Sequence, residues 1–215
     1  MSISSLSIPD LVDAEVEEAK QLLRAAVREH RKQRSKRKIA ELADVWVPTV
    51  MDFLGDATLV ACYVSTKLEP PTYGVLQALH DAGKRVLLPK LGPGLSRAWG
   101  LFEPGTELVE MAPGRPPEPA GDSYENTILS DVEAMIIPAL AISREGARLG
   151  QGGGWYDRAL KQVNPDAPVG AMIYPEEFLE VRIPQDEMDV SVPYAILPTA
   201  IMPTDIAKKS HPQLS

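Results

Sequence analysis

Between Ala147 and Leu160 the chain reads ARLGQGGGWYDRAL. Gly150, Gly152, Gly153 and Gly154 surround a single Gln151, and Trp155, Tyr156 and Asp157 follow at once. Each glycine costs chain entropy on folding, so a cluster this dense implies a close approach to bare backbone. Consecutive glycines let peptide N–H groups crowd around phosphate oxygens, and a helix start just after them adds the positive end of its dipole. The chemistry this pattern supports is phosphate binding. The plain alternative is a tight turn without a ligand, for which one glycine would serve. Two common phosphate motifs do not fit. G-x-G-x-x-G needs glycine at 155, where Trp155 stands, and no lysine follows in register for a P-loop.

The flanking residues each carry two readings. Asp157, in the first helical turn, either favours the helix dipole or holds Mg²⁺ beside a phosphate. Arg148 either neutralises phosphate or makes a surface salt bridge. Tyr156, Leu160 and Val163 fall at i, i+4 and i+7 and form a core stripe, which leaves Trp155 free to flank a ligand. Cys62 lies in the apolar run LVACYV and is expected to be a buried, inert thiol. His30, His80 and His211 lie outside the motif segments and read as surface residues. No Ser/His/Asp or Cys/His set stands out, so no covalent nucleophile is expected.

These residues need a frame. The chain has 215 residues, 44% of them hydrophobic, which suits one domain with a sizeable core. A formal net charge of −8 argues against a general nucleic-acid binder. One cysteine excludes an internal disulfide. No apolar run approaches the roughly 18 residues that span a bilayer, and no secretory signal is evident. The expectation is a cytoplasmic protein without membrane or nucleic-acid partners. A loose N-terminus over 1–10 precedes a helical pattern from Asp10 to Ala43, interrupted by Pro48 before a last helical turn or two in TVMDFL. Strand TLVACYVS (58–65), helix PTYGVLQALHDAG (71–83) and strand KRVLLP (84–89) make one β-α-β unit. Residues 92–122 are irregular, with a short hairpin near Trp99 and Phe102. EAMIIPALAI (133–142) is a central strand, WYDRALKQV (155–163) a helix, and PVGAMIYP (168–175) and YAILPT (194–199) the remaining strands. The domain is expected to run over 1–203, with a disordered tail over 204–215. The run REHRKQRSKRK (28–38) reads as a solvated helix face, as an attractor for an anionic ligand tail or, last, as a nucleic-acid contact.

The segment GARLGQGGGWYDRAL resembles the signature of the 5-formyltetrahydrofolate cyclo-ligase family, G-x-R-L-G-x-G-x-G-[YF]-Y-D-x-x-L. KQLLR (20–24), CYVSTKLEPPT (62–72), RVLLPKL, PPEP and IPQDEMDVSV (183–192) resemble further family segments, in the family's order. The resemblance spans roughly residues 18–200. It implies a three-layer α/β/α fold with a mainly parallel sheet, of the phosphosugar-isomerase and CoA-transferase type. It implies ATP as co-substrate, Mg²⁺, and a folate substrate in mono- or polyglutamyl form, handled by a monomer or weak homodimer. By resemblance, Lys20, Arg24, Arg148, Leu149, Gly150, Gln151, Gly152, Gly153, Gly154 and Trp155 contact ATP. Val64, Glu69, Gln151, Trp155 and Tyr156 contact the folate, Arg148 and Tyr156 are the catalytic positions, and Asp157 and Asp189 hold the metal. Trp155 replaces the family's tyrosine or phenylalanine, Ser143 stands where aspartate is frequent, Pro193 is a further departure, and Gly153 is lysine in some relatives.

Overall fold

Short runs of branched and apolar residues become the strands of two sheets. A computed structural model describes residues 5–92, 96–105, 108–111 and 116–210. The strands are β1 (Leu59–Ala61), β2 (Arg85–Leu91), β3 (Arg97–Leu101), β4 (Tyr124–Glu125), β5 (Ala134–Pro138), β6 (Ala141–Ser143), β7 (Arg148–Leu149), β8 (Val169–Met172), β9 (Phe178–Leu179), β10 (Tyr194–Leu197) and β11 (Ala200–Pro203). The main sheet has the order β11-β10-β8-β5-β1-β2-β3-β4. Its centre, β10-β8-β5-β1-β2, is parallel, and antiparallel strands close both edges. The helices are α1 (Val16–Lys32), α2 (Lys36–Glu41), α3 (Val47–Leu54), α4 (Tyr73–Asp81), α5 (Trp155–Leu160) and α6 (Asp205–Ser210).

Successive side chains of a strand point to opposite faces, and in a parallel sheet both faces are covered. Val60, Ile136 and Ile196 pack with Val50 of α3 and Leu76 and Leu79 of α4 on one face. Ala61, Met135, Ile137 and Ala171 pack with Leu129 and with Ala159 of α5 on the other. The result is the expected three-layer α/β/α arrangement. Truncating a fully buried residue of these layers, such as Ile136, costs about 2–5 kcal/mol.

The topology locates the site. β1 pairs with β2 on one side and with β5 on the other, so the chain reverses its direction of travel across the sheet at β1. Such a switch point opens a crevice beyond the C-terminal strand ends, where ligands bind in open α/β sheets. Tyr63 and Val64 after β1, and Pro138 and Ala139 at the end of β5, line a cleft there.

Several element boundaries differ from expectation. The 10–43 helical pattern divides at 33–35, where the Ser35 hydroxyl accepts the Lys38 amide (3.2 Å) and caps α2. Pro48 sits in the first turn of α3 and starts that helix, since its missing N–H needs no partner there. The run 133–142 is two strands: β5 ends at Pro138, and β6 joins a second sheet, β7-β6-β9. Proline offers no N–H to extend the ladder. The helix expected over 155–163 ends at Leu160. Leu6 and Ile8 pack against the Leu23 and Val27 cluster, so residues 5–10 are tethered, while residues 1–4 lie outside the described residues. The tail is corrected over 204–210: Thr204 and Ala207 are buried and α6 follows β11. Residues 211–215, with His211, lie outside the described residues.

Candidate active site

Several segments converge on the switch point and enclose a cleft of about 800 Å³. They are α1, residues 63–69, 89–91, 116–118 and 138–139, the loop 148–158 and residues 186–189.

On α1, Leu23 and Val27 are buried against the second sheet, and Lys20 and Arg24, one turn apart, reach the cleft. The Lys20 side chain is 5% exposed, and its ammonium donates to Asp186 Oδ2 (2.6 Å) and Asp189 Oδ2. Burial pulls the ammonium pKa down, but the two aspartates together outweigh it and the net shift is up. Lys20 therefore stays cationic. The Lys20 hydrogen bond in turn holds the Asp186 carboxyl below its usual range. Asp189 Oδ2 also accepts the Asp186 amide (2.8 Å), so this carboxylate both caps a turn and faces the cleft. Arg24 donates from Nε to the Gly150 carbonyl (3.0 Å) and from NH1 to Glu17 (2.9 Å).

What comes close to the glycine backbone is first the protein's own arginines. A Cβ on Gly150 would meet Arg148 NH1 at 2.7 Å, and one on Gly152 would lie 3.6 Å from the Arg24 guanidinium. Gly152 (φ 105°) and Gly154 (φ 58°) occupy the left-handed region, which side chains resist. The loop thus bends between two guanidinium groups and leads into α5.

Arg148 makes a salt bridge, but a buried one and not one at the surface, and its partner is Asp157. Arg148 donates to Asp157 Oδ2 (2.7 Å), with the arginine side chain 4% exposed and the aspartate 15%. Asp157 Oδ1 accepts the Val190 amide (3.3 Å), which brings it beside the segment carrying Asp189. Arg148 Nε is buried without a hydrogen-bond partner among the described residues.

Glu69 is buried, and its carboxylate accepts the Thr66 amide (2.8 Å) and the Gln151 side chain (3.4 Å). It closes a turn and simultaneously faces the glycine loop. Its backbone carbonyl accepts the Tyr174 hydroxyl (3.3 Å). Val64 is buried at the cleft wall. Burial, then Glu69 and Cys62, push the Tyr156 hydroxyl well above its usual range. Tyr156 is consequently a neutral donor near pH 7. Trp155 lines the cleft, but its ring is not free: it packs edge-on against Trp99 (5.0 Å) and Tyr156 (4.9 Å). Cys62 is fully buried, its thiol pushed up to about 12, which fits an inert role. Ser143 Oγ accepts the Ala147 amide (3.2 Å), a turn contact that braces the start of the loop segment. The Pro193 carbonyl accepts the Thr204 amide (2.9 Å), which ties the residue before β10 to the residue after β11.

The basic run divides: Lys32, Arg37 and Lys38 are solvated, as the helix-face reading has it, while His30, Arg31 and Arg34 are buried. Arg31 is buried and donates from Nε and NH2 to Glu177 (2.7 Å each) and from NH2 to the Ala139 carbonyl (2.7 Å). Arg34 pairs with Glu176 and lies 3.7 Å from the Tyr174 ring centre. His30, expected at the surface, is buried beside Glu176 (3.6 Å), while His80 is exposed. Arg31 and Arg34 thus form neither a solvated face nor an open attractor.

Sequence reasoning singled out Asp189 and passed over Asp186, although an acid three residues earlier in the same turn was a usable signal. It also passed over Arg28, which donates to the Gln151 carbonyl (3.1 Å) and side chain (2.8 Å), and Arg158, which donates to the Gly153 carbonyl (2.9 Å). No local pattern distinguishes those arginines from solvated ones. Among the described residues no group of three acidic, histidine or cysteine side chains is placed to cage a metal. Magnesium, however, usually takes one or two carboxylates and completes its shell with phosphate and water. The neighbouring Asp157 and Asp189 fit that donor set.

A mainly parallel α/β sheet gathers cations, glycine backbone and paired carboxylates in one cleft at its switch point, the arrangement of an α/β enzyme. The chain belongs to the 5-formyltetrahydrofolate cyclo-ligase family, whose profile matches residues 16–198. It is 35% identical over 144 residues to the 5-formyltetrahydrofolate cyclo-ligase of Mycolicibacterium smegmatis, covering 65% of this chain and 73% of that protein. It is 36% identical over 151 residues to the Escherichia coli 5-formyltetrahydrofolate cyclo-ligase, covering 67% and 80%. The NMR structure of Aquifex aeolicus 5,10-methenyltetrahydrofolate synthetase superposes with a TM-score of 0.71 at 26% identity, covering 86% of this chain and 93% of that one. Among the described residues no helix is long and apolar enough to cross a membrane.

Proposed function

We propose that the chain converts 5-formyltetrahydrofolate to 5,10-methenyltetrahydrofolate, using ATP with Mg²⁺ and releasing ADP and phosphate. The observation that carries this reading is the convergence of Lys20, Arg24, Arg148, the 150–154 backbone and two aspartates on the cleft that Glu69 and Val64 also line.

The formyl oxygen is a poor leaving group. It attacks the γ-phosphorus, the bond to ADP breaks, and the formyl carbon becomes an electrophilic iminium phosphate. N10 then attacks that carbon, the C–O bond breaks, phosphate departs and the N10 proton is released. Phosphoryl transfer asks the protein mainly for alignment and charge neutralisation. Lys20, Arg24 and Arg148 supply positive charge, and the glycine backbone admits the phosphates closely. Lys20 and Arg148 would exchange their aspartates for phosphate, and Asp189 and Asp157 would then hold the metal. Mg²⁺ supplies charge neutralisation and orientation of the phosphate oxygens. Glu69 positions the folate through Gln151 and the loop. Tyr156, neutral and enclosed, donates to the substrate rather than acting as a base.

The test is the near-ultraviolet absorbance of the methenyl product, followed with 5-formyltetrahydrofolate and Mg²⁺, with and without ATP. Product formation only with ATP supports the reading. Binding of both ligands without turnover, measured by calorimetry, sinks it.

A further inference from the structure

The ion pairs described so far lie on the Lys20 side of the cleft. The opposite rim holds two arginines with no acidic partner among the described residues. Trp99 of β3 touches Trp155 of α5. Arg97 stands two residues before Trp99, on the same face of β3, and Arg158 lies one helical turn beyond Trp155. One ring contact therefore brings the two residues to the same rim of the cleft. In register, Arg97 is opposite Leu91, which lines the cleft, and Arg158 lines it directly.

Neither arginine makes an ion pair with a described acid. Arg158 donates from NH2 to the Gly153 carbonyl and keeps its other N–H groups, while Arg97 Nε is buried without a partner among the described residues. Glu118, the acid on this rim, uses Oε2 on the Leu91 amide (2.9 Å). Burial and then the neighbouring Arg158 push the Arg97 guanidinium down. Two like charges held together without a counter-ion are a cost to the fold that an anion removes. The approach to them is apolar, over Pro89, Leu91, Pro117 and Trp155. An apolar passage ending in two forked donors suits a flat ring that carries a carboxylate.

We propose that Arg97 and Arg158 form a carboxylate subsite that anchors the aminobenzoyl-glutamyl tail of the folate, across the cleft from Lys20 and Arg24. This rests on the ring-closing reading above. It gives the tail a binding place other than Arg31 and Arg34, which are sealed against Glu176 and Glu177.

Arg97→Ala is expected to raise the KM for 5-formyltetrahydrofolate about tenfold, the size of one lost charge-assisted contact, and to leave the KM for ATP unchanged. Arg158→Ala moves the folate constant in the same direction. 5-Formyltetrahydropteroate, which has no glutamyl carboxylates, is expected to be insensitive to both. A Cβ on Gly153 meets nothing within 4 Å, so Gly153→Lys in the Arg158→Ala background returns a cation to the rim and restores the KM. A rise in the KM for ATP instead, or an equal loss with the tail-free substrate, overturns the proposal. If the wild-type protein closes no ring, the ring-closing reading fails separately. Calorimetry then decides the subsite: wild type should prefer p-aminobenzoylglutamate to p-aminobenzoate, and Arg158→Ala should lose the preference. Equal binding of the two by wild type overturns it.

Discussion

Helix α1 carries two sets of cations with opposite fates. In its first half, Lys20 and Arg24 face the cleft, and Lys20 pairs with Asp186, whose side chain is 47% exposed. In its last turn, Arg31 meets a Glu177 that is fully buried, and Arg34 just beyond is covered by the Tyr174 ring. The residue types are the same. Burial of the partner separates the Lys20–Asp186 pair, which a ligand can split, from the Arg31–Glu177 pair, which can only hold segments together. Arg31 also binds the Ala139 carbonyl at the cleft wall, so the sealed set fixes the frame within which the open set works.

The contrast breaks most sharply at Glu177. Glu177→Ala leaves Arg31 charged and buried, and should cost about 3–5 kcal/mol in urea unfolding. Replacing both partners by apolar residues, Arg31→Met with Glu177→Leu, should recover most of that loss. If Glu177→Ala unfolds at the wild-type urea midpoint, the two sets do not differ in kind. On the open side, Arg148→Ala should lower kcat by about 10²–10³-fold, the scale of a lost transition-state charge contact. The urea midpoint should fall less than for Glu177→Ala. A larger stability loss than kinetic loss would move Arg148 into the sealed class.

The smallest effect is the most diagnostic of exchangeability. The folded pKa of Asp186 lies below its unfolded value, so its contribution to stability is present above the unfolded pKa and fades as the pH falls through the folded one. Lys20 is shifted up, so its contribution is present below its unfolded value and is lost only in alkali. Asp186→Asn should therefore melt below wild type near neutrality, and the gap should close below about pH 4. A gap that persists in acid would mean Asp186 acts through something other than its charge.

The open set was legible because its signals are local. The glycines of the loop are contiguous, Lys20 and Arg24 are spaced one helical turn apart, and Asp157 sits at a helix start. The sealed set was not, since Arg31 and Glu177 are 146 residues apart and a basic run looks the same whether or not acids cover it. The sheet was legible as alternating strands and helices. The division of 133–142 into two strands was not, because both halves are equally apolar and only the second sheet makes them diverge. Trp155 was misjudged for a similar reason: the helical stripe predicts packing within α5, not the distant Trp99.

The bond from Lys20 to Asp189 joins positions 169 residues apart, and that to Asp186 joins positions 166 apart. The cleft therefore has no counterpart in any partial fragment of this sequence. Its charges come into register only after early and late regions have docked, a step with high loop-closure entropy. Turnover by this chain should thus serve as a gauge of complete assembly, vanishing in denaturant together with the cooperative transition rather than ahead of it.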